Sequence, residues 1–278
     1  MHGFARMAGN GETWYIDAKG EKAFDEVIAV YHPVDSIEEA AYGHRVVHAN
    51  EKETMRLVKK DGRMGVVSDD GKWLLPPEYD TIAVKWESYL LLSEDGKMTY
   101  ADTRGKLLLP LRFQDAGILD DDHFDVKENG KWGVFSVAAN KLVIPAVYEA
   151  FDYCGGCGSK GDYVFAQQNG KWGVVTFRNE VLAPFAYEHA HTFMRSDNWV
   201  LCFKKNGQDV VLNLHLKKEY GAPGYTDMEL IGNGLLKVRT NGRCGLINEE
   251  GKVVSGFVYD DVKDPYGDYE SGPFLLVT

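Results

Sequence analysis

Asn129-Gly130-Lys131-Trp132-Gly133 and, forty residues later, Asn169-Gly170-Lys171-Trp172-Gly173 are near-copies of one another. Looser versions flank them: Asp61-Gly62-Arg63-Met64-Gly65, Asp95-Gly96-Lys97-Met98-Thr99, Asn206-Gly207-Gln208-Asp209-Val210 and Asn241-Gly242-Arg243-Cys244-Gly245. A weaker copy, Asn10-Gly11-Glu12-Thr13-Trp14-Tyr15, precedes them all. From Gly62 onward the steps between turn glycines are 34, 34, 40, 37 and 35, a mean of 36. A period of this size sets the architecture, because a copy this small must bury its faces against a neighbour.

Each copy has a physical reading. Asn-Gly or Asp-Gly supplies the two residues with φ > 0 that a type I′ hairpin turn requires. An apolar or alternating strand precedes the turn, as in Tyr89-Leu90-Leu91-Leu92-Ser93 and Leu235-Leu236-Lys237-Val238-Arg239. A β-branched strand such as Gly173-Val174-Val175-Thr176 follows it. A second turn at Asp70-Gly71, Arg104-Gly105 and Glu250-Gly251 leads into a short strand expected to end near Pro76, Pro110, Pro145 and Pro184, where proline stops ladder pairing. An aromatic and a polar or acidic residue come next, at Tyr79-Asp80, Phe113-Gln114, Tyr148-Glu149, Tyr187-Glu188 and Tyr259-Asp260. The acid is read as an acceptor for turn amides. The repeat unit is therefore four short antiparallel strands.

Composition agrees. The chain has 278 residues, of which 30 are Gly, above the usual share of about 7 %, and the glycine is spread along the whole length as turns require. Lys plus Arg total 31 against 42 Asp plus Glu, a net charge of −11, which opposes phosphate-backbone binding. Nucleic acid is not the expected partner. No apolar run marks a signal peptide or a membrane span, and four scattered cysteines make no disulfide framework. A cytoplasmic protein is the expectation.

The Gly-Lys-Trp-Gly copies at 130–133 and 170–173, with the downstream proline and the tyrosine-plus-acid pair, resemble the bacterial WG-repeat family, known also for its KWG motif. The resemblance runs over roughly residues 50 to 262. Only two copies keep Trp-Gly; Met64, Met98 and Cys244 stand for the tryptophan elsewhere. The resemblance implies a β-repeat scaffold and says nothing of an activity.

About seven four-stranded antiparallel repeat units are expected in a single domain over 1–278, closed as a β-propeller, with an open β-solenoid as the alternative. Phe274 to Val277 reads as the first hairpin strand of a unit, and Trp14 to Phe24 as the second half of one, so the chain ends are expected to complete a unit together. The surplus length between Gly11 and Gly62 contains Ser36-Ile37-Glu38-Glu39 at capping-box spacing, which predicts a short inserted helix at 35–43.

No nucleophile elbow, metalloprotease motif, P-loop or dinucleotide fingerprint occurs, and no catalytic residue or cofactor is expected. Cys154 and Cys157 form C-x-x-C, and His189 and His191 stand at the corresponding place one unit later. A tetrahedral zinc site from these four is conceivable, but free thiols and solvent-facing imidazoles account for them more simply. Trp132, Trp172, Met64 and Met98 are read as packing residues between neighbouring units, since soft apolar side chains fill one gap interchangeably.

Asp120, Asp121 and Asp122 cluster in a connection between the short aromatic-led strand and the next hairpin, as do Asp264 and Asp268. Aromatics outside the repeat pattern, Trp86, Tyr153, Trp199, Tyr266 and Tyr269, lie in or beside the same connections. Together they are the candidate partner-binding residues, acids for steering and aromatics for anchoring. The expected function is non-enzymatic binding of a protein with a basic surface, in concrete form an immunity protein neutralising a toxin. The alternatives are a glycan- or cell-wall-binding repeat protein and a propeller enzyme acting on glycans or small molecules.

Overall fold

The computed structural model describes residues 3–39, 45–152, 163–191, 200–213, 217–221, 224–231, 234–263 and 276–277. Those residues form thirty strands and no helix. Packing divides the chain into two compact halves, Met1–Leu142 and Val143–Thr278, where the sequence reading has one domain over 1–278. The boundary falls inside a strand, not in a linker.

The first half opens with β1 (Ala5–Gly9), β2 (Glu12–Ile16) and β3 (Lys22–Phe24), one sheet in that order. The N-terminal copy thus has its own strand before the turn and is more than the second half of a unit. Next come β4 (Glu26–Tyr31), β5 (Val34–Glu39), β6 (Arg45–Ala49), β7 (Met55–Lys60), β8 (Arg63–Ser68) and β9 (Trp73–Tyr79). They sort into a sheet β4-β7-β8-β9 and a separate ribbon β5-β6. The third sheet holds β10 (Thr81–Lys85), β11 (Tyr89–Glu94) and β12 (Lys97–Asp102). Its fourth place is taken by irregular chain that meets β12 through single bridges at Leu107 and Phe113, on either side of Pro110. β13 (Asp115–Ala116), β14 (His123–Glu128) and β15 (Lys131–Ser136) follow, and β16 (Lys141–Tyr148) carries the boundary.

The second half has three four-stranded meanders, the form of a propeller blade. The first comprises β17 (Ala150–Asp152), β18 (Tyr163–Gln168), β19 (Lys171–Thr176) and β20 (Val181–Tyr187). The second is β21 (His189–His191), β22 (Val200–Lys205), β23 (Gln208–Asn213) and β24 (Lys218–Tyr220). The third contains β25 (Thr226–Leu230), β26 (Leu235–Thr240), β27 (Arg243–Asn248) and β28 (Val253–Tyr259). The pair β29 (Val262–Lys263) and β30 (Leu276–Val277) ends the chain.

All seven Asn/Asp-Gly turns form. Their first residues have φ from 47° to 54° and their glycines from 71° to 85°, both in the left-handed region that a type I′ turn needs. The acid or glutamine after the aromatic fastens five of these turns to the strand that precedes them. Asp80 Oδ2 accepts from the Asp95 amide at 2.8 Å, Gln114 Oε1 from Gly130 at 2.6 Å, Glu149 Oε2 from Gly170 at 2.8 Å and Glu188 Oε2 from Gly207 at 3.1 Å. Asp25 does the same for Asp61 at 2.7 Å. The expected acceptor role is therefore what these side chains perform.

Within each half, neighbouring sheets share core clusters. Leu57 and Val66 share one cluster with Ile82, Leu90 and Leu92 of the next sheet, and Met64 packs against it. Tyr163, Phe165 and Tyr187 share another with Leu201 and Phe203, and Trp172 packs there. The Tyr187 and Phe203 rings stack at 4.2 Å. Cys244 is fully buried beside Leu246 and Val262. A fully buried ring such as Phe203 contributes about 1.5–3 kcal/mol, and Met64, Trp172 and Cys244 are thus packing residues at the tryptophan position. The glycine after it has its own reason. A Cβ on Gly173 would sit 2.8 Å from the Ala183 carbonyl oxygen and 2.9 Å from Phe185, and one on Gly245 would sit 2.6 Å from Phe257. The bare backbone is the seat of an aromatic ring from the fourth strand.

Two expectations are corrected. Residues 34–39 form β5, paired with β6 through Ile37–Val47 and Glu38–Val46, instead of a helix over 35–43. Val46 and Val47 favour a pleated pairing, and Ser36 with Glu39 has capping-box spacing without the 3.6-residue apolar stripe that would give a helix something to bury. Residues 40–44 lie outside the described residues. Pro76, Pro145 and Pro184 lie inside β9, β16 and β20 and do not end them. All three strands are outermost in their sheets, where a missing N–H is tolerated.

Candidate partner-binding connections

The two ends of each sheet differ. Second and third strands are always joined by two residues, at 61–62, 95–96, 129–130, 169–170, 206–207 and 241–242. At the opposite end, first and second strands are joined by residues 32–54, 86–88, 117–122, 153–162, 192–199, 231–234 and 264–275. Among connections within a sheet, the hairpin turns keep one length while these first-to-second connections vary, and variable loops on a rigid scaffold are where recognition is carried.

Residues 86–88 are the shortest of the fully described connections. Trp86 is 57 % exposed and has φ 48°, followed by Glu87 at φ 59°. The turn thus has type I′ character without Asn or Gly, a conformation that costs about 1–2 kcal/mol per ordinary residue. Ser88 steadies it: its amide donates to Lys85 O at 3.1 Å and its hydroxyl to Trp86 O at 2.9 Å. The chain accepts backbone strain to hold an indole outward.

In the connection 117–122 the three acids are fixed by their own surroundings. Asp120 Oδ1 accepts from the amides of Asp122 and His123 at 2.8 and 2.7 Å, and His123 Nδ1 lies 3.0 Å from both its oxygens. Asp121 Oδ1 accepts from the Tyr89 hydroxyl at 2.7 Å. Asp122 accepts from the Ala138 amide at 2.6 Å and the Ser136 hydroxyl at 2.8 Å. These carboxylates order the loop, and any partner would meet a preformed surface.

Tyr153, Trp199, Asp264, Tyr266, Asp268 and Tyr269 lie outside the described residues, as do Cys154 and Cys157. His189 and His191 are placed on β21, with His191 opposite Cys202 in register. Among the described residues no group of three or more His, Cys, Asp or Glu side chains is spaced to hold a metal.

Sequence reasoning overlooked two features. An oxygen-bearing residue three before the glycine of the second turn caps that turn: Asp17 Oδ1 accepts from Lys19 and Glu21, Asp102 Oδ1 from Arg104 and Lys106, and Asn248 Oδ1 from Glu250 and Lys252. The signal, Asp or Asn three before Gly, was present in the sequence as an Asx-turn pattern. The second is the root of the ribbon. Arg104 reaches Glu53 and Asp35, each at 2.5 Å, beside a cavity of about 410 Å³ lined by Lys52, Ser68, Asp69, Lys72 and Leu74 among others. No local motif announces a contact between residues this far apart in sequence.

The WG containing repeat family matches residues 64–84, 98–132 and 245–269. A search of curated proteins gives no significant match. Among solved structures, Hsv2 of Kluyveromyces lactis is similar at 9 % identity and a TM-score of 0.34, over 70 % of this chain and 70 % of that one. A eukaryotic initiation factor is similar at 9 % identity and 0.38, over 92 % of this chain and 73 % of the other. Repeated hairpins, glycine seats and turn-capping side chains accompany these matches, and three stretches of this chain are WG-containing repeats.

Proposed function

We propose that the chain is a non-enzymatic module that binds another protein, with the connections between first and second strands as its contact loops. The asymmetry between sheet ends carries this reading: one end keeps a two-residue turn in every copy, and the other varies in length, exposes Trp86 and gathers acids. Tryptophan is enriched among residues that dominate interface energetics. A net charge of −11 favours a basic partner by steering its approach. The finer form of the proposal is an immunity protein of a bacterial toxin pair, held in the cytoplasm and neutralising a basic toxin.

The test is a pull-down from the native host at moderate salt, with the wild-type chain beside Trp86→Ala and a triple Asp120→Asn, Asp121→Asn, Asp122→Asn variant. A basic protein retained by the wild type and lost from Trp86→Ala, with far-UV circular dichroism unchanged, supports the reading. Retention of nothing, together with binding to a glycan array, would overturn it.

A further inference from the structure

Among the described residues of the first half, β5 and β6 are the two strands that pair with each other and with no third strand. Their root is held firmly. The Val34 amide donates to Thr103 Oγ1 at 2.8 Å and the Tyr31 hydroxyl to Thr103 O at 3.1 Å, while Arg104 grips Asp35 and Glu53. Beyond the root the ribbon has little cover: Val46 is 42 % exposed, and a two-stranded ribbon is marginal in water without further packing.

The two free edges differ in kind. The β5 edge carries Asp35 and Glu38 and a register irregularity between Val34 and Ser36; charges and bulges are the devices that blunt an edge against pairing. The β6 edge reads Arg45-Val46-Val47-His48-Ala49, without acid, lysine or proline. It is a regular, unprotected edge beside a protected one.

We propose that β6 pairs antiparallel with β6 of a second copy of this chain, across a two-fold axis through Val47, giving a four-stranded sheet β5-β6-β6-β5. An isologous contact must be complementary to itself, and this register is. Val47 stands opposite Val47 and Val46 opposite His48, with no like charges facing. The β5 edge is the one that Asp35, Glu38 and a register irregularity blunt, which leaves β6 as the edge open to pairing. This inference is independent of the partner reading above, since it concerns one edge of one connection.

Sedimentation of the full chain from about 1 to about 200 µM suits so small a contact, which lies in the weak size class. The weight-average mass is expected to rise from the chain mass of 31.1 kDa toward twice that value. Val47→Lys sets two ammonium groups face to face and is expected to hold the mass at the monomer value throughout. Because that substitution also touches the Ile37 pair, a second readout uses Val47→Cys, which on mild oxidation is expected to give a reducible species of doubled mass. Ser36→Cys and the unsubstituted chain are expected to give none. A wild-type mass that stays at the monomer value, a dimer that survives Val47→Lys, failure of Val47→Cys to cross-link, or equal cross-linking through Ser36→Cys would each overturn the proposal.

Discussion

At the scale of single residues, glycine does two jobs that one substitution each separates. Gly173 has no room for a Cβ, which would press on the Ala183 carbonyl oxygen and the Phe185 ring. Gly173→Ala is expected to destabilise the fold by about 1–3 kcal/mol, the range for overpacking a core, read as a lower urea midpoint. Gly96 has open space at its Cβ position and φ 72°, so its cost is conformational. Gly96→Asn is expected to be much milder than Gly96→Val, the difference being about 1–2 kcal/mol. Tyrosine gives a pH signature. Desolvation pushes the Tyr100 and Tyr163 hydroxyls up to about 12, and raises Tyr31 and Tyr187 further. A raised folded pKa means stability that is fully present below the ordinary value of 10.0 and is lost as pH climbs toward the folded one. Ionisation of these four tyrosines is therefore expected to appear late and together with unfolding, and early ionisation of all tyrosines while the fold persists would contradict the packing described.

At the scale of elements, the turn caps tie five of the hairpins to the strand before them. Gln114 serves at one copy where an acid serves at others, so the function is acceptance by an oxygen and not charge. Glu149 accepts with both oxygens, from the Asn169 amide at 3.2 Å and the Gly170 amide at 2.8 Å, so Glu149→Gln keeps one of the two bonds and is expected to cost less than Glu149→Ala, which leaves the 169–170 turn uncapped and costs about 1 kcal/mol, measured by thermal or denaturant unfolding. Acid pH adds a term at Asp25, whose carboxyl is held low first by the bonded Lys22 ammonium and also by the Asp61 amide. Its contribution is present above the ordinary carboxylate range and is lost as pH falls below it, and Asp25→Asn is expected to flatten that fall.

The hairpins were legible because Asn-Gly and Asp-Gly encode a backbone conformation directly. The ribbon at 34–49 was not, because Ser-x-x-Glu is a helix start only when an apolar stripe follows, and here alternate residues pair across a strand. The 86–88 turn was hidden for the opposite reason: Trp86 and Glu87 adopt positive φ with no residue that favours it.

At the scale of the molecule, the repeat decides which positions are scaffold and which are free to vary. Met64 and Cys244 in the tryptophan place pack as the sequence pattern implied, because one apolar gap accepts several soft side chains. The acids at 120–122 were found as a cluster, but their roles as loop struts were not readable, since the Tyr89 and Ser136 partners come from other strands. Packing into two compact halves was equally invisible in a sequence that has no linker. Trp86 and Glu87 hold positive φ at a local cost, so replacing Trp86 and Glu87 by Asn and Gly is expected to raise stability by about 1–2 kcal/mol, read from unfolding curves, while removing the exposed indole. The central claim is that the variable ends of the sheets, and not the fixed turns, meet the partner. The direct measurement is the affinity of the captured partner for two variants, one with Trp86→Ala and one with Lys97→Ala beside the fixed 95–96 turn. The account predicts at least a roughly tenfold loss for the first, about 1.4 kcal/mol, and no change for the second. Equal losses, or a loss confined to the turn variant, would contradict it.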